Sequence, residues 1–267
     1  MKVLGMYDKE SEIRCFNKSA FLVMRNFFSR LPEEYGKCYF KNLETLKLLK
    51  VDEFNDDKIA GKYNSLGNVI MFSKNNSLGH ELFHVASYDR SRDISAFEGH
   101  IDIEQGLIEG MTEYLFVKTY ELSLACEYPF EVFCVKMLED IPNLFKPYFI
   151  PSHEDFINLF PSKRSIYSLM YALNVYHEDA LDYMASPSGN DIQHTLYKIE
   201  EAIKGVIDSL ISIELSRNTD DASLNRYADK FMDELTSKEV KDMMYWLCPK
   251  YSHYANKQIN VKIRRKG

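Results

Sequence analysis

Residues 68–90 read NVIMFSKNNSLGHELFHVASYDR, a short β-prone run followed by a helix that carries two histidines. Asn68 to Phe72 form the strand, and the Asn-rich break that follows leads to Ser77, placed to cap a helix over 77–90. Inside it, His80-Glu81-Leu82-Phe83-His84 puts two imidazoles four residues apart. At about 3.6 residues per turn they stand one above the other on one face, so both can reach a single tetrahedral ion. Glu81 lies one residue round from His80, able to take a proton from a water on that ion without ligating the ion itself.

An open zinc site needs a third protein ligand. A histidine six residues past His84 is absent, because that place is Arg90, and Ser87 stands where metzincins carry glycine, which excludes that class. Further on, residues 103–117 read IEQGLIEGMTEYLFV within a helical pattern that spans 103–122. Glu109 stands 25 positions beyond His84, with Glu113 at i+4 from it, and Glu104 stands 20 positions beyond. Spacing alone leaves both Glu104 and Glu109 as third-ligand candidates.

HELFH followed by LIEGMTEYL resembles the gluzincin pattern of thermolysin-like peptidases, aminopeptidases and minigluzincins, over residues 77–117. Ile108 stands where that pattern has Asn, and the spacing from His84 is a little longer than in the large aminopeptidases. The resemblance implies a zinc held by His80, His84 and Glu109, with Glu81 as general base. It also implies Glu113 as the acid that orients a ligand histidine, since a carboxylate on the far N–H fixes the tautomer and raises basicity. By the same resemblance the strand 68–72 is the edge strand beside the cleft. A group that stabilises the oxyanion is expected among Tyr167, Tyr171, Tyr88, Tyr176 and His177. His100, His153, His194 and His253 have no partner at ligand spacing and are expected to be structural.

The chain has 267 residues, 45% hydrophobic and 27% charged, the balance of an ordinary folded protein. Eighteen Tyr and 17 Phe against one Trp make aromatic rings a large part of the core. A net charge of −7 repels phosphate backbones and anionic lipid, so neither nucleic acid nor membrane is an expected partner. The basic run Lys262, Arg264, Arg265 and Lys266 reads as a solvated chain end. Asp8, Lys9, Glu10 and Glu12 interrupt any secretory signal, and no run of 18 apolar residues is present. Five widely spaced cysteines (Cys15, Cys38, Cys126, Cys134 and Cys248) suit reduced thiols in a cytoplasm, with Cys126 and Cys134 as buried small hydrophobes.

Residues 18–31, with Phe21, Leu22, Met24, Phe27, Phe28 and Leu31, predict a first helix ended by Pro32. KCYF (37–40), KIAGKY (58–63) and NVIMF predict strands of a small antiparallel sheet, with 64–68 as a hairpin turn. Helices are predicted over 129–140, 152–159, 163–178, 190–217, 221–236 and 238–247, in addition to the two above. The expected class is therefore α+β and helix-dominated. Four prolines in 141–162 (Pro142, Pro147, Pro151 and Pro161) place a boundary there, between a zincin-like subdomain over 1–145 and a helical subdomain over 146–267 that completes the cleft.

The expected activity is hydrolysis of a peptide or protein substrate by metal-activated water. Two alternatives stay open: a zinc-binding regulatory or interaction protein with little turnover, and a narrow-specificity protease of the repressor-cleaving kind. No Gly-Ala-Met-Glu-Asn exopeptidase motif is present, which points toward endopeptidase or narrow-specificity action. Nothing in the pattern sets an oligomeric state.

Overall fold

A computed structural model describes residues 2–4, 11–51, 60–73, 77–99, 103–121, 127–185 and 192–263. His100, Cys126, Pro187 and the basic residues Arg264 to Lys266 lie outside them, as does the side chain of Cys15. These residues group into two compact units. One takes in Met1–Glu98, Leu115–Leu124 and Phe145–His153, the other Gly99–Tyr114, Ala125–Leu144 and Glu154–Gly267. Residues 141–162 thus contribute to both units.

The first unit opens with strand β1 (Lys2–Leu4) and helix α1 (Ser11–Phe28), and Pro32 then starts helix α2 (Glu33–Leu43). Glu33 and Glu34 occupy the first turn of α2, where the helix dipole favours acids. The KCYF segment, read as a strand, lies inside α2. Its β-prone residues are overridden because Gly36, Tyr39 and Asn42 recur at helical spacing and are all buried. Tyr39 stacks on Phe28 with ring centroids 5.0 Å apart, which fixes α2 on α1.

Strands β2 (Lys47–Lys50), β3 (Gly61–Asn64) and β4 (Val69–Phe72) complete a four-stranded sheet in the order β1-β2-β4-β3. The sheet is mixed, not antiparallel as expected: β2 runs parallel to β4, with Leu48 opposite Ile70, while β1–β2 and β3–β4 are antiparallel. Alternation along a strand identifies its faces but leaves the direction of its neighbour open. The 64–68 turn joins β3 to β4. Gly67 donates its N–H to Asn64 Oδ1 (2.9 Å), and Asn68 takes φ 49°, a left-handed value that Asn tolerates. NVIMF, expected as the edge strand, is interior: β4 sits between β2 and β3 and buries Ile70 and Phe72 fully. Among the described residues the edge strands of the sheet are β1 and β3.

Helix α3 (Ser77–Ser87) follows and is buried nearly all round, with Leu78, Leu82, Phe83, Val85 and Ala86 fully enclosed. Its C-terminal end is held by Asn42, whose Nδ2 donates to the carbonyls of Val85 and Tyr88, both at 2.8 Å. A two-stranded hairpin, β5 (Tyr88–Asp89) and β6 (Ile94–Ser95), turns the chain away.

Helix α4 (Gln105–Tyr120) begins in the second unit and ends in the first. The second unit otherwise holds α5 (Pro129–Leu138), most of α7 (His153–Asn158), α8 (Lys163–Ala185), α9 (Ile192–Arg217), α10 (Asp221–Leu235), α11 (Lys238–Leu247) and α12 (Tyr251–Lys262); the short α6 (Lys146–Phe149) belongs to the first. Helix α9 is its spine: Ile199, Ile203, Val206, Ile207, Leu210 and Ile211 form a buried stripe at helical spacing. Helix α12, absent from the sequence reading, is clamped to α9 by Tyr254 and Lys262, both donating to the Asp208 carboxylate at 2.8 Å. The architecture is α+β and helix-dominated, as expected. No helix among the described residues is long and apolar enough to cross a membrane.

Candidate metal centre

Helix α3 supplies the first two groups. His80 and His84, one turn apart, bring their Nε2 atoms to 3.1 Å of one another. Two ligand nitrogens about 2.0–2.1 Å from one tetrahedral zinc would stand about 3.3 Å apart, close to this separation. His80 is 8% exposed and His84 half-buried.

The turn that carries them has no room to spare. A Cβ added to Gly79 would stand 2.5 Å from a ring carbon of Phe116 and 3.0 Å from Tyr120 Cζ, so α4 packs against α3 where only glycine fits. Phe116 also meets His80 edge-on, with centroids 6.1 Å apart and planes at 78°. Glu109 precedes Phe116 by two turns of the same continuous helix, on the same face. His80, His84 and Glu109 each offer a ligand atom, and these atoms lie within 4.8 Å of one another. This buried His-His-Glu group can hold a metal ion: it combines two neutral imidazoles with one carboxylate, a donor set suited to a divalent transition metal.

Gln105, one turn before Glu109, donates its Nε2–H to Glu109 Oε1 at 2.6 Å. Glu104, the rival by spacing, is not in the cluster. It is buried at the start of α4, where its Oε2 accepts the Ile103 N–H and its carbonyl accepts those of Leu107 and Ile108. Glu113 is buried too, and its Oε1 accepts the Glu127 N–H at 3.0 Å.

Glu81 is 6% exposed. Its carboxylate lies beside the first residue of β3, because a Cβ on Gly61 would fall 2.9 Å from Glu81 Oε1. The same junction is tied from below by Ala60, whose carbonyl accepts the Ser77 hydroxyl and the Ser73 N–H, each at 2.9 Å. Ser77, expected as a helix cap, uses its hydroxyl here to bind strand to helix.

No family model, characterised protein or solved structure matches this chain.

The tyrosines considered for oxyanion stabilisation occupy different settings. Tyr88 is buried and its hydroxyl donates to Asp93 within the β5–β6 hairpin. On α8, Tyr167 is half-buried and Tyr171 is 62% exposed. Tyr176 is enclosed and donates to Met243 Sδ. His177 is buried with its Nδ1 2.9 Å from Glu131 Oε1. Burial alone would lower the His177 pKa, but the hydrogen bond and charge of Glu131, with Glu109 and Glu178 adding to them, raise it above its ordinary value. Of the other histidines, His153 meets the Phe97 carbonyl at 3.0 Å, and His194 and His253 are exposed.

Sequence reading passed over the glycines. Gly61, Gly79, Gly106 and Gly110 are all points of close approach, and three of them sit inside helical patterns. A glycine in such a pattern costs helix stability, so its presence is itself a sign of tight packing. Phe116 and Gln105 carried no comparable signal.

Proposed function

We propose that this chain is a zinc-dependent peptidase of the gluzincin type. The observation that carries the reading is the convergence of His80, His84 and Glu109, from two helices, into one group with metal-ligand spacing. Zinc bound there would polarise a carbonyl and bring the pKa of a water toward neutrality. Glu81, next in sequence to His80 and lodged against Gly61, takes a proton and returns it to the leaving amine. Gln105 restrains one oxygen of Glu109, and Glu113 orients a ligand imidazole. The exposed edge of β3 pairs with an extended substrate backbone, which brings a peptide bond alongside Glu81. Tyr167 and Tyr171 are the tyrosines to examine for oxyanion stabilisation. Peptide or protein is the substrate class, and the free thiols of Cys38, Cys134 and Cys248 suit a cytoplasmic setting.

A second reading has one observation in its favour. His80, Glu81 and Glu109 are all at least nine-tenths buried. That degree of enclosure suits a narrow-specificity protease or a zinc-binding regulator better than a broad degradative enzyme.

The test is metal analysis of the purified chain together with cleavage of a peptide library, with Glu81→Gln as control. One zinc per chain, cleavage by wild type and loss of cleavage with zinc retained in Glu81→Gln support the peptidase. Zinc without cleavage of any peptide moves the assignment to the regulator, and absence of zinc binding removes both.

A further inference from the structure

Helix α4 is seated through two glycines one turn apart, Gly106 and Gly110. A Cβ on Gly106 would stand 2.8 Å from the Leu173 carbonyl oxygen and 3.2 Å from His177 Cβ, both on α8. A Cβ on Gly110 would stand 2.7 Å from the Glu131 carbonyl oxygen and 2.9 Å from Glu131 Cβ, on α5. The residues that touch the two glycines are also joined to each other, by the 2.9 Å contact of His177 Nδ1 with Glu131 Oε1. A polar bridge from α8 to α5 therefore lies over the glycine face of α4, beside the residue that offers the carboxylate of the metal cluster.

We propose that His177 and Glu131 are positioning residues that lock the register of α4 and so hold Glu109 at ligand distance. The inference rests on the metal reading above and concerns how its third ligand is kept in place. A glycine face by itself is smooth and lets a helix slide or roll by fractions of an ångström. Apolar packing of equal volume would resist that weakly, because it has no preferred direction, whereas a hydrogen bond has both a length and an angle. The choice of an ionisable pair here is not explained by stability. His177 is 6% and Glu131 3% exposed, and a buried pair of this kind often contributes no more than hydrophobic residues in its place. What it adds is a defined geometry at both points where α4 meets its neighbours. Two further bonds act with it: the Asn174 Oδ1 accepts the Gly106 N–H at 3.4 Å, and Asn174 Nδ2 donates to Glu178 Oε1 at 2.9 Å.

The experiment is cobalt(II) titration of the full chain, read by the visible absorption of a low-coordinate site and by the dissociation constant. Four variants are compared with wild type: Glu131→Met/His177→Leu, which removes the bridge at matched volume; His177→Phe, which removes it from one end; Glu131→Gln, which leaves an acceptor for the His177 N–H; and Lys136→Met/Glu234→Met, which removes the 2.6 Å pair between α5 and α10 elsewhere in the unit. Circular dichroism and cooperative melting identify the folded variants. The bridge predicts about 10- to 100-fold weaker cobalt binding, with reduced absorption, in whichever of the first two is folded. Glu131→Gln and the Lys136/Glu234 pair stay near wild type. Folded bridge-less variants that bind cobalt with wild-type affinity and spectrum overturn the inference while leaving the metal site standing. A wild-type chain that binds no cobalt and no zinc overturns the metal reading itself, and the bridge falls with it.

Discussion

Gly61 and Glu81 are in contact across the junction of β3 and α3: a Cβ on Gly61 would lie 2.9 Å from Glu81 Oε1 and 3.0 Å from its Cγ. The absence of a side chain at the edge of the sheet is what lets the acid lie there. Gly61→Ala should therefore displace the carboxylate, together with the Ser77 hydroxyl that would lie 2.8 Å from the same Cβ, and leave the imidazoles alone. Under the peptidase reading, kcat falls by about 10- to 100-fold while bound zinc stays at one per chain. Steady-state kinetics with metal analysis on the same sample checks this, and loss of zinc in Gly61→Ala would show that the contact serves the ligand turn instead.

Gly79 makes the corresponding contact with α4. Gly79→Ala places a methyl 2.5 Å from the Phe116 ring, so α3 and α4 must move apart. Overpacking of this kind costs about 1–3 kcal/mol, which urea denaturation resolves. Phe116→Leu in the same chain should recover part of the loss by making room. Equal stability of Gly79→Ala and wild type would contradict the packing described.

Asn42 joins α2 to the end of α3 through two buried hydrogen bonds to the Val85 and Tyr88 carbonyls. Asn42→Ala leaves both carbonyls without this donor in a site that is 1% exposed. The expected destabilisation is about 2–3 kcal/mol. Chemical denaturation at one pH is sufficient, and a change under about 0.5 kcal/mol, the scale of an ordinary surface substitution, would refute it.

The His177–Glu131 pair gives a pH dependence of defined sign. The folded pKa of His177 is raised above the unfolded value of 6.5, so the imidazole holds its proton more tightly in the folded chain. The stabilisation is fully present below that unfolded value and is lost as pH rises through the higher folded one. Denaturation series from about pH 5 to pH 9 should show wild type losing stability relative to His177→Gln over that upper window. Parallel curves for the two chains would mean that the imidazole has the same proton affinity folded and unfolded, and would refute the raised value.

Helix α4 shows where local and global information part. Its existence, and the common face of Glu109 and Glu113, follow from spacing, because helical periodicity is a property of neighbours in the chain. The same holds for His80 and His84 on α3, and for the turn at 64–68, whose Asn and Gly residues carry the backbone geometry themselves. KCYF went the other way. Cys38, Tyr39 and Phe40 prefer strands in isolation, and burial of Gly36, Tyr39 and Asn42 along one helical face, with Tyr39 on Phe28, makes the segment helical.

What the sequence alone determined was the helix-rich α+β class and the pairing of two imidazoles on one helical turn, since both depend on periodicities of a few residues. Tertiary structure decided the rest: that β4 is interior and β3 an edge strand, that Glu109 and not Glu104 joins the histidines, and that four glycines mark the contacts around them. These are relations between segments distant in the chain. They are set by which surfaces exclude water together, and no local spacing encodes that.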